Sequence, residues 1–382
     1  MIGIVQTVAK GGCGVIHDND RTVFVPGVIR GEKIEFSVLH RQKGVWQGKL
    51  QRILEPSPQR VEAPCRHYGD CGGCNLQHMA YAEQLRCKEE ILAANLKKIA
   101  GFGRSEPIRV LASPPFRYRS KIELQVRNGS LGFFRKKSHQ LVRIGQCLLL
   151  SESAERFILE LPPLPAGSNG VLQILGNGTE LAARMRSDTG EIRWLTPLRA
   201  LFFDFPPDRY RYGPEHFIQA NLLQMAPMLA LLAEHLPASP EEGAADLFCG
   251  CGFFTLPLAR RCERVLALES DADNLLALRA NLVLNRIGNV EVRAQDALRA
   301  ELPPLGLVVL DPPRGGLSAA TIARIARARV KKVIYYSCDS ATFARDLRLF
   351  LAQGFGLREL KLIDNFPQTD HFEIFSVLGN KA

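Results

Sequence analysis

Apolar residues recur along this chain with changing periods, and the changes divide it. Over the first 54 residues they come in short runs broken by glycine, at 2–5, 14–16, 22–25, 33–38 and 48–53. Runs this short and evenly spaced predict about five strands of a small barrel. Pro56, Pro58 and Pro64 then punctuate a linker. Between 81 and 100, Leu85, Ile91, Leu92, Leu96 and Ile99 stand at helical spacing and predict an amphipathic helix. β-prone runs return from 117 to 211, with a proline-rich interruption at 161–165, and predict more sheet in one middle domain. From Phe217 strand and helix patterns alternate. A helix opens at Gln219-Ala220-Asn221 and runs towards His235, and helical spacing recurs at 271–284. Strands are predicted at 244–248, 264–269, 289–292, 307–310 and 330–336, with closing strands near Leu360 and at 371–378. Such alternation predicts a mostly parallel, doubly wound sheet that binds ligands at the carboxyl ends of its strands. The boundaries expected are 1–55, 56–215 and 216–382.

Length and composition fit that division. A chain of 382 residues is long for one domain, and 46% hydrophobic residues suffice for several cores. No apolar run reaches membrane-spanning length and the amino terminus lacks a signal-peptide pattern, so a cytoplasmic protein with no membrane partner is expected. The net charge of +10 is concentrated. Between 101 and 145, ten Lys/Arg (Arg104, Arg109, Arg117, Arg119, Lys121, Arg127, Arg135, Lys136, Lys137, Arg143) face only Glu106 and Glu123. Arg30, Lys33, Arg41, Lys43 and Lys49 accompany the first strands. Localised positive charge points to a polyanionic partner; the bland alternative is a solvated basic face. In 117–121 and 131–139 cations alternate with aromatics, so Arg117, Arg119, Lys121, Phe133, Arg135, Lys136 and Lys137 are candidates to pair phosphates and stack bases.

Ten cysteines without a secretion signal argue for metal or redox chemistry rather than structural disulfides. Cys65, Cys71 and Cys74 have C-x5-C-x2-C spacing, and Gly72 and Gly73 let the loop fold tightly enough for two sulfurs to reach one centre. The fourth ligand could be His67, His78, Cys87 or Cys147. Spacing alone admits both zinc and an iron–sulfur cluster.

In the last third, Cys249-Gly250-Cys251-Gly252 follows a strand and precedes a helix, and Glu269 ends the next strand. That is a nucleotide-type site: the glycine turn admits the ligand and the acid holds ribose hydroxyls. No third glycine stands in register, which disfavours a pyrophosphate and favours adenosine without phosphate, hence S-adenosylmethionine. Asp296 and Asp311 each follow a predicted strand, where the alternative role is helix capping. Cys338 stands where the strand at 330–336 meets the next helix, and the positive end of that helix favours a thiolate. Taken alone, a lone cysteine there reads as a small buried apolar residue.

The turn over 246–252, Asp311-Pro312-Pro313-Arg314-Gly315-Gly316, Ser337-Cys338-Asp339 with Ala344-Arg345-Asp346-Leu347, and His371-Phe372-Glu373 together resemble the RNA uracil-C5 methyltransferases. Gly11-Gly12-Cys13-Gly14, Val23-Phe24-Val25-Pro26-Gly27 and Gly31-Glu32 resemble a TRAM domain, an OB-like RNA-binding module. With the cysteine cluster, this makes the chain most similar to the branch that modifies bacterial 23S ribosomal RNA. The resemblance spans essentially the whole chain in motif order. It implies an N-terminal OB-like TRAM β-barrel, a central α+β domain with a [4Fe–4S] cluster, and a C-terminal Rossmann-like methyltransferase. It implies that Cys147 completes the set Cys65, Cys71 and Cys74, and that Gln219, Phe248, Glu269, Asp296 and Asp311 contact S-adenosylmethionine. It also implies that the helix from Tyr81 packs on the catalytic domain. Two positions depart from the family pattern. Phe253 replaces an asparagine, which leaves the methionine end of the cofactor without that polar contact. Asp339 replaces another, and a carboxylate close to Cys338 would oppose thiolate formation, so capping the next helix is its expected role.

The implied reaction suits these residues. Cys338 adds to C6 of uracil, C5 then takes the methyl group, Glu373 removes the C5 proton, and the thiol is eliminated. The alternative for Glu373 is an outward-facing strand residue, since Phe372 and Ile374 alternate with it. The target base must leave its stack, so base flipping in 23S rRNA by a monomeric enzyme is expected. Transfer RNA uracil methylation is the nearest alternative. Cytosine-C5 methylation would want a cysteine in the Asp311–Arg314 motif, and a radical enzyme would want C-x3-C-x2-C. A non-catalytic RNA-binding or assembly protein with a metal ribbon is the alternative from another class.

Overall fold

The computed structural model describes residues 1–18, 21–42, 44–103, 106–237 and 243–380. Lys43 and Arg104, two of the expected basic residues, lie outside the described residues. The first 55 residues form β1 (Ile2–Ile4), β2 (Thr7–Ala9), β3 (Cys13–Asp18), β4 (Arg21–Pro26), β5 (Lys33–Gln42) and β6 (Val45–Glu55). They hydrogen-bond in the order β1-β5-β6-β4-β3-β2 around Val5, Ile16, Val23, Val25, Val28, Ile34 and Phe36. There are six strands rather than about five. The β5–β6 hairpin also extends past the apolar runs, pairing His40 with Gln47 and Gln42 with Val45, because ladder bonds need only backbone groups.

Next come α1 (Tyr81–Asn95), whose last turn widens into a π segment at Leu96–Ala100, and β7 (Arg109–Leu111). The middle sheet is antiparallel: β8 (Lys121–Arg127), β9 (Ser130–Phe134), β10 (Leu141–Arg143), then α2 (Glu152–Glu160), β11 (Gly170–Gly176), β12 (Leu181–Ser187) and β13 (Ile192–Trp194). Its order is β10-β9-β8-β11-β12-β13. Ile122, Leu124 and Val126 alternate into its core with Leu172 and Ile174, while polar residues fill the other face of β8. A separate hairpin follows, β14 (Leu201–Phe205) and β15 (Asp208–Tyr212).

The remaining elements alternate: α3 (Leu222–Glu234), β16 (Ala244–Leu247), α4 (Thr255–Arg261), β17 (Val265–Glu269), α5 (Ala272–Leu284), β18 (Val290–Ala294), β19 (Leu307–Leu310), α6 (Ala319–Arg327), β20 (Lys332–Ser337), α7 (Ser340–Ala352), β21 (Phe355–Ile363) and β22 (Glu373–Asn380). The sheet order is β18-β17-β16-β19-β20-β22-β21-β7, parallel through β20. The order reverses between β16 and β19, and an open α/β sheet binds its ligand at such a point.

Two segments within 56–215 leave the middle sheet. α1 buries Ile91, Leu92 and Leu96 against Leu347 and Phe350 of α7, and β7 pairs with β21 as the edge of the C-terminal sheet. The apolar stripe of α1 can be buried only on another apolar face, and the antiparallel middle sheet already carries α2. The β14–β15 hairpin packs Phe203, Tyr210 and Tyr212 with Leu278 and Leu282 of α5. Asn281 and Asn285 seal that contact by accepting from the N–H groups of Arg211 and Arg209 at 2.7 and 2.8 Å. Among the described residues no helix is long and apolar enough to cross a membrane.

Candidate active site and cysteine centre

The carboxyl ends of β16, β17, β19 and β20 and the start of β22 surround one cavity of about 720 Å³. Gln219, Phe248, Glu269, Asp296, Asp311, Cys338 and Glu373, all singled out from sequence, line it together. Phe248 holds a left-handed φ of 67° where the chain leaves β16, and Gly250 and Gly252 continue the turn at 53° and 95°. A β-carbon at Gly252 would come within 2.6 Å of Leu278 Cδ1, so glycine is required for the turn to sit on α5. Glu269 Oε2 accepts from Gly250 N–H at 3.0 Å, and its Oε1 accepts from the N–H groups of Ser270 and Asp271 at 2.7 and 2.9 Å. Asp296 accepts from Leu298 N–H at 2.9 Å, so it caps a turn while lining the cavity. Gln219 donates to Asp311 Oδ2 at 3.2 Å and accepts from the Asn365 amide at 3.1 Å.

Cys338 lies half-buried between β20 and α7. Asp339 is the N-cap of α7, accepting from the N–H groups of Ala341 and Thr342 at 3.1 and 2.9 Å. Glu373 begins β22 and is only 6% exposed, so it is not an outward-facing strand residue. Burial pushes the Cys338 thiol up to about 11, and the Glu373 and Asp311 carboxylates add to this while the Arg314 guanidinium opposes it. The expected helix-end effect therefore does not by itself yield a resting thiolate: desolvation and two acids outweigh it. Burial likewise raises Asp311 to about 7, and it lifts Glu373 well above the usual carboxylate range, with Asp311 adding to the effect and Arg314 opposing it. A cation bound among these buried acids would draw them back to carboxylates, and acids with raised affinity for a proton can carry one to or from a bound base.

A second cavity, of about 650 Å³, separates the 65–74 loop from the middle sheet. Cys65, Cys71, Cys74 and Cys147 all line it, with Arg119, Phe133, Arg135, Lys136 and Lys137. A β-carbon at Gly72 would come within 2.8 Å of Phe134 O, and Gly73 N–H donates to Cys71 Sγ at 3.4 Å. Burial raises the Cys74 thiol to about 12, and Cys147, Cys71 and Cys65 oppose its ionisation further. Four thiols in mutual range of this kind ionise together only if a cation neutralises them. Cys87 is buried on α1 beside Glu83, outside this group, and His78 is held by Tyr68 at 2.6 Å.

The tRNA (uracil-5-)-methyltransferase family matches residues 207–301 and 304–381. The 23S rRNA (uracil(1939)-C(5))-methyltransferase RlmD of Pseudomonas putida is 30% identical over 98% of this chain and 92% of its own. RlmD of Pseudomonas entomophila is 32% identical over the same shares. The chain belongs to the RNA uracil-C5 methyltransferases. It is an S-adenosylmethionine-dependent enzyme of that family. The crystal structure of Pyrococcus abyssi tRNA (uracil-54, C5)-methyltransferase with S-adenosyl-L-homocysteine shares the fold, with a TM-score of 0.79, 22% identity, and coverage of 99% of this chain and 100% of that one.

For a methyltransferase of this family, the cavity also contains residues that sequence reasoning left without a role. Arg314, Phe366 and His371 line it; Arg314 and His371 stood inside quoted motifs, whereas nothing local marked Phe366. Asn365, fully buried, fixes Gln219 from 146 residues away, and no spacing rule reaches that far. The seven basic and aromatic RNA candidates separate. Arg117 is ion-paired with Glu155, and Lys121 donates to His216 O at 2.5 Å. Arg119, Phe133, Arg135, Lys136 and Lys137 border the cysteine cavity instead.

Proposed function

We propose that this methyltransferase transfers a methyl group from S-adenosylmethionine to C5 of a specific uridine in 23S ribosomal RNA, with Cys338 as nucleophile and Glu373 as base. The observation that carries the reading is the meeting of Cys338, Glu373 and Asp311 with the Phe248–Gly252 turn and Glu269 in one cavity. Bound S-adenosylmethionine supplies an electrophilic methyl group on a sulfonium cation. Glu269 and the turn hold its adenosine, with Phe248, Asp296, Asp311 and Gln219 around it. Cys338 Sγ, after giving up its proton, bonds as thiolate to C6 of the flipped uracil; the electron pair of the C5–C6 bond moves into an enolate over C5 and the C4 oxygen, which makes C5 nucleophilic. After C5 carries the methyl group, Glu373 accepts the C5 proton, the C6–S bond breaks and the sulfur leaves as thiolate.

The 23S assignment is supported by the RlmD relatives, whose names carry that substrate and which align with nearly the whole chain. Cys65, Cys71, Cys74 and Cys147 would hold a [4Fe–4S] cluster. The four thiols line one cavity, which is what supports a shared inorganic centre there, and we assign it a structural role under the RNA-binding surface. Residues 1–55 act as a TRAM-like RNA-binding domain, 56–215 as the cluster domain and 216–382 as the methyltransferase domain, working as a cytoplasmic monomer.

RNA containing 5-fluorouridine tests the chemistry. The fluorine cannot leave as a proton would, so a covalent protein–RNA adduct accumulates, is lost in Cys338→Ala and persists in Cys87→Ala. Methylation of a tRNA transcript in preference to a 23S transcript would overturn the substrate assignment.

A further inference from the structure

The turn between β2 and β3 leaves the N-terminal sheet and touches the catalytic domain twice. Lys10 Nζ ion-pairs with Asp339 Oδ2, the residue after Cys338. Gly11 N–H donates to Asp370 Oδ2 at 2.6 Å, three residues before Glu373. Asp370 is itself fixed by Asn75, whose amide donates to Oδ1 at 2.6 Å and whose Oδ1 accepts from Asp370 N–H at 3.0 Å. Lys136 Nζ reaches Gly11 O at 3.1 Å, so the turn is also tied to the segment after β9. Left-handed φ values of 94° and 68° at Gly11 and Gly12 give the turn this shape, and a β-carbon at Gly12 would meet the Asn75 amide at 3.0 Å.

Asp339 divides its two oxygens between these tasks. Oδ1 takes the two N–H groups of the α7 cap, and Oδ2 takes Lys10. Burial opposes ionisation of Asp339, but the Lys10 ammonium and the Thr342 N–H more than offset it and hold the carboxyl below its usual range. A carboxylate one residue from a nucleophilic sulfur works against the thiolate unless a cation answers it. Lys10 is that cation, and it comes from a different sheet, more than 300 residues away in the chain. Its side chain remains 43% exposed and does not line the cavity, so it touches no reacting atom.

We propose that Lys10 is a positioning residue for Cys338: by pairing with Asp339 while Gly11 holds Asp370, the β2–β3 turn sets the cap of α7 and the approach to β22, and with them the nucleophile and the base. The N-terminal sheet then acts on the covalent step as well as on RNA capture. This rests on the reading of Cys338 as nucleophile.

The test is a double-mutant cycle of Lys10→Met and Asp339→Asn, with Lys10→Arg as the conservative variant, in the full-length enzyme. Asparagine keeps the cap and removes the charge. Adduct formation with 5-fluorouridine RNA is followed at saturating and at limiting RNA. Lys10→Met slows the rate at saturating RNA about tenfold, the scale of a coupled contact pair, with half-saturating RNA changed by less than about twofold. Lys10→Arg restores the rate, and in the Asp339→Asn background Lys10→Met has no further effect. A tenfold loss that persists with Asp339→Asn overturns the proposal, as does an effect confined to half-saturating RNA, which would make Lys10 a phosphate contact. Iodoacetamide alkylation of Cys338, read by peptide mass spectrometry, repeats the cycle without RNA. A wild type that forms no adduct would sink the uracil-C5 reading itself, while a Lys10-dependent alkylation rate would still report the coupling.

Discussion

Cys338 meets opposing influences within a few ångströms. The α7 terminus and Arg314 favour its thiolate; burial, Glu373 and Asp311 disfavour it, and they prevail. The free enzyme should therefore alkylate slowly at Cys338 near neutral pH, with the rate rising towards a midpoint at about 11. Glu373→Gln removes an acid that raises the thiol, so the midpoint moves down; an upward or absent shift in the alkylation profile would refute the pairing. The same substitution separates the chemical steps. Once the thiolate has formed, sulfur addition and methylation of C5 need no further base, but release does, so Glu373→Gln should lower turnover by about 10²–10⁴-fold while a methylated covalent adduct becomes visible on denaturing gels. At this scale the sequence was informative where a motif surrounds the residue, as for Cys338, Glu373 and Asp311. The charge state was not legible, because burial is a property of the packed molecule.

At the scale of elements, the loop joining β21 to β22 matters most. Asp364, Asn365, Gln368 and Asp370 are all buried, and all are fixed by residues far away in the chain: α1 holds Asp364 and Gln368, Gln219 holds Asn365, and Gly11 and Asn75 hold Asp370. Tyr81 and Lys88 of α1 donate to Asp364 at 2.8 and 2.5 Å, and Gln84 exchanges two hydrogen bonds with Gln368 at 3.0 Å. Tyr118 donates to Pro367 O at 3.0 Å. Lys88 and Asp364 are both 0% exposed, and breaking such a pair strands the other charge, at a cost of about 3–5 kcal/mol. Lys88→Met should lower the urea midpoint accordingly, and because the loop leads into Glu373 the surviving folded fraction should turn over more slowly with cofactor affinity little changed. Calorimetric cofactor titration separates the two effects. The periodic pattern predicted α1 as an amphipathic helix, and its apolar stripe does face a core. Which core was not written in the stripe: any apolar surface satisfies it, and only its polar residues, meeting Asp364 and Gln368, choose the C-terminal one.

For the whole molecule, three large sheets and the β14–β15 hairpin pack together, and the cysteine cavity lies between the 65–74 loop and Arg119, Arg135, Lys136 and Lys137. Arg135 pairs with Asp70 at 3.2 Å across that gap. If a cluster organises this surface, chelation of its iron or Cys74→Ser should abolish visible absorbance and RNA affinity together while S-adenosylmethionine binding persists. Unchanged RNA affinity after cluster loss, measured by filter binding, would argue against the structural role.

The sequence by itself determined most of the elements and the chemistry-bearing motifs, but not α2, which forms in a stretch read as β-prone. Period-two and period-three-to-four apolar spacing follows from local geometry, and a glycine turn, an acid after a strand or a cysteine before a helix is a local feature too. The family resemblance implied that the motif residues share one site and that the helix from Tyr81 packs on the catalytic domain; tertiary structure alone decided that β7 edges the C-terminal sheet and that Asp339 is answered by Lys10. Those are relations between residues hundreds of positions apart, and they depend on packing and desolvation, which no local pattern encodes.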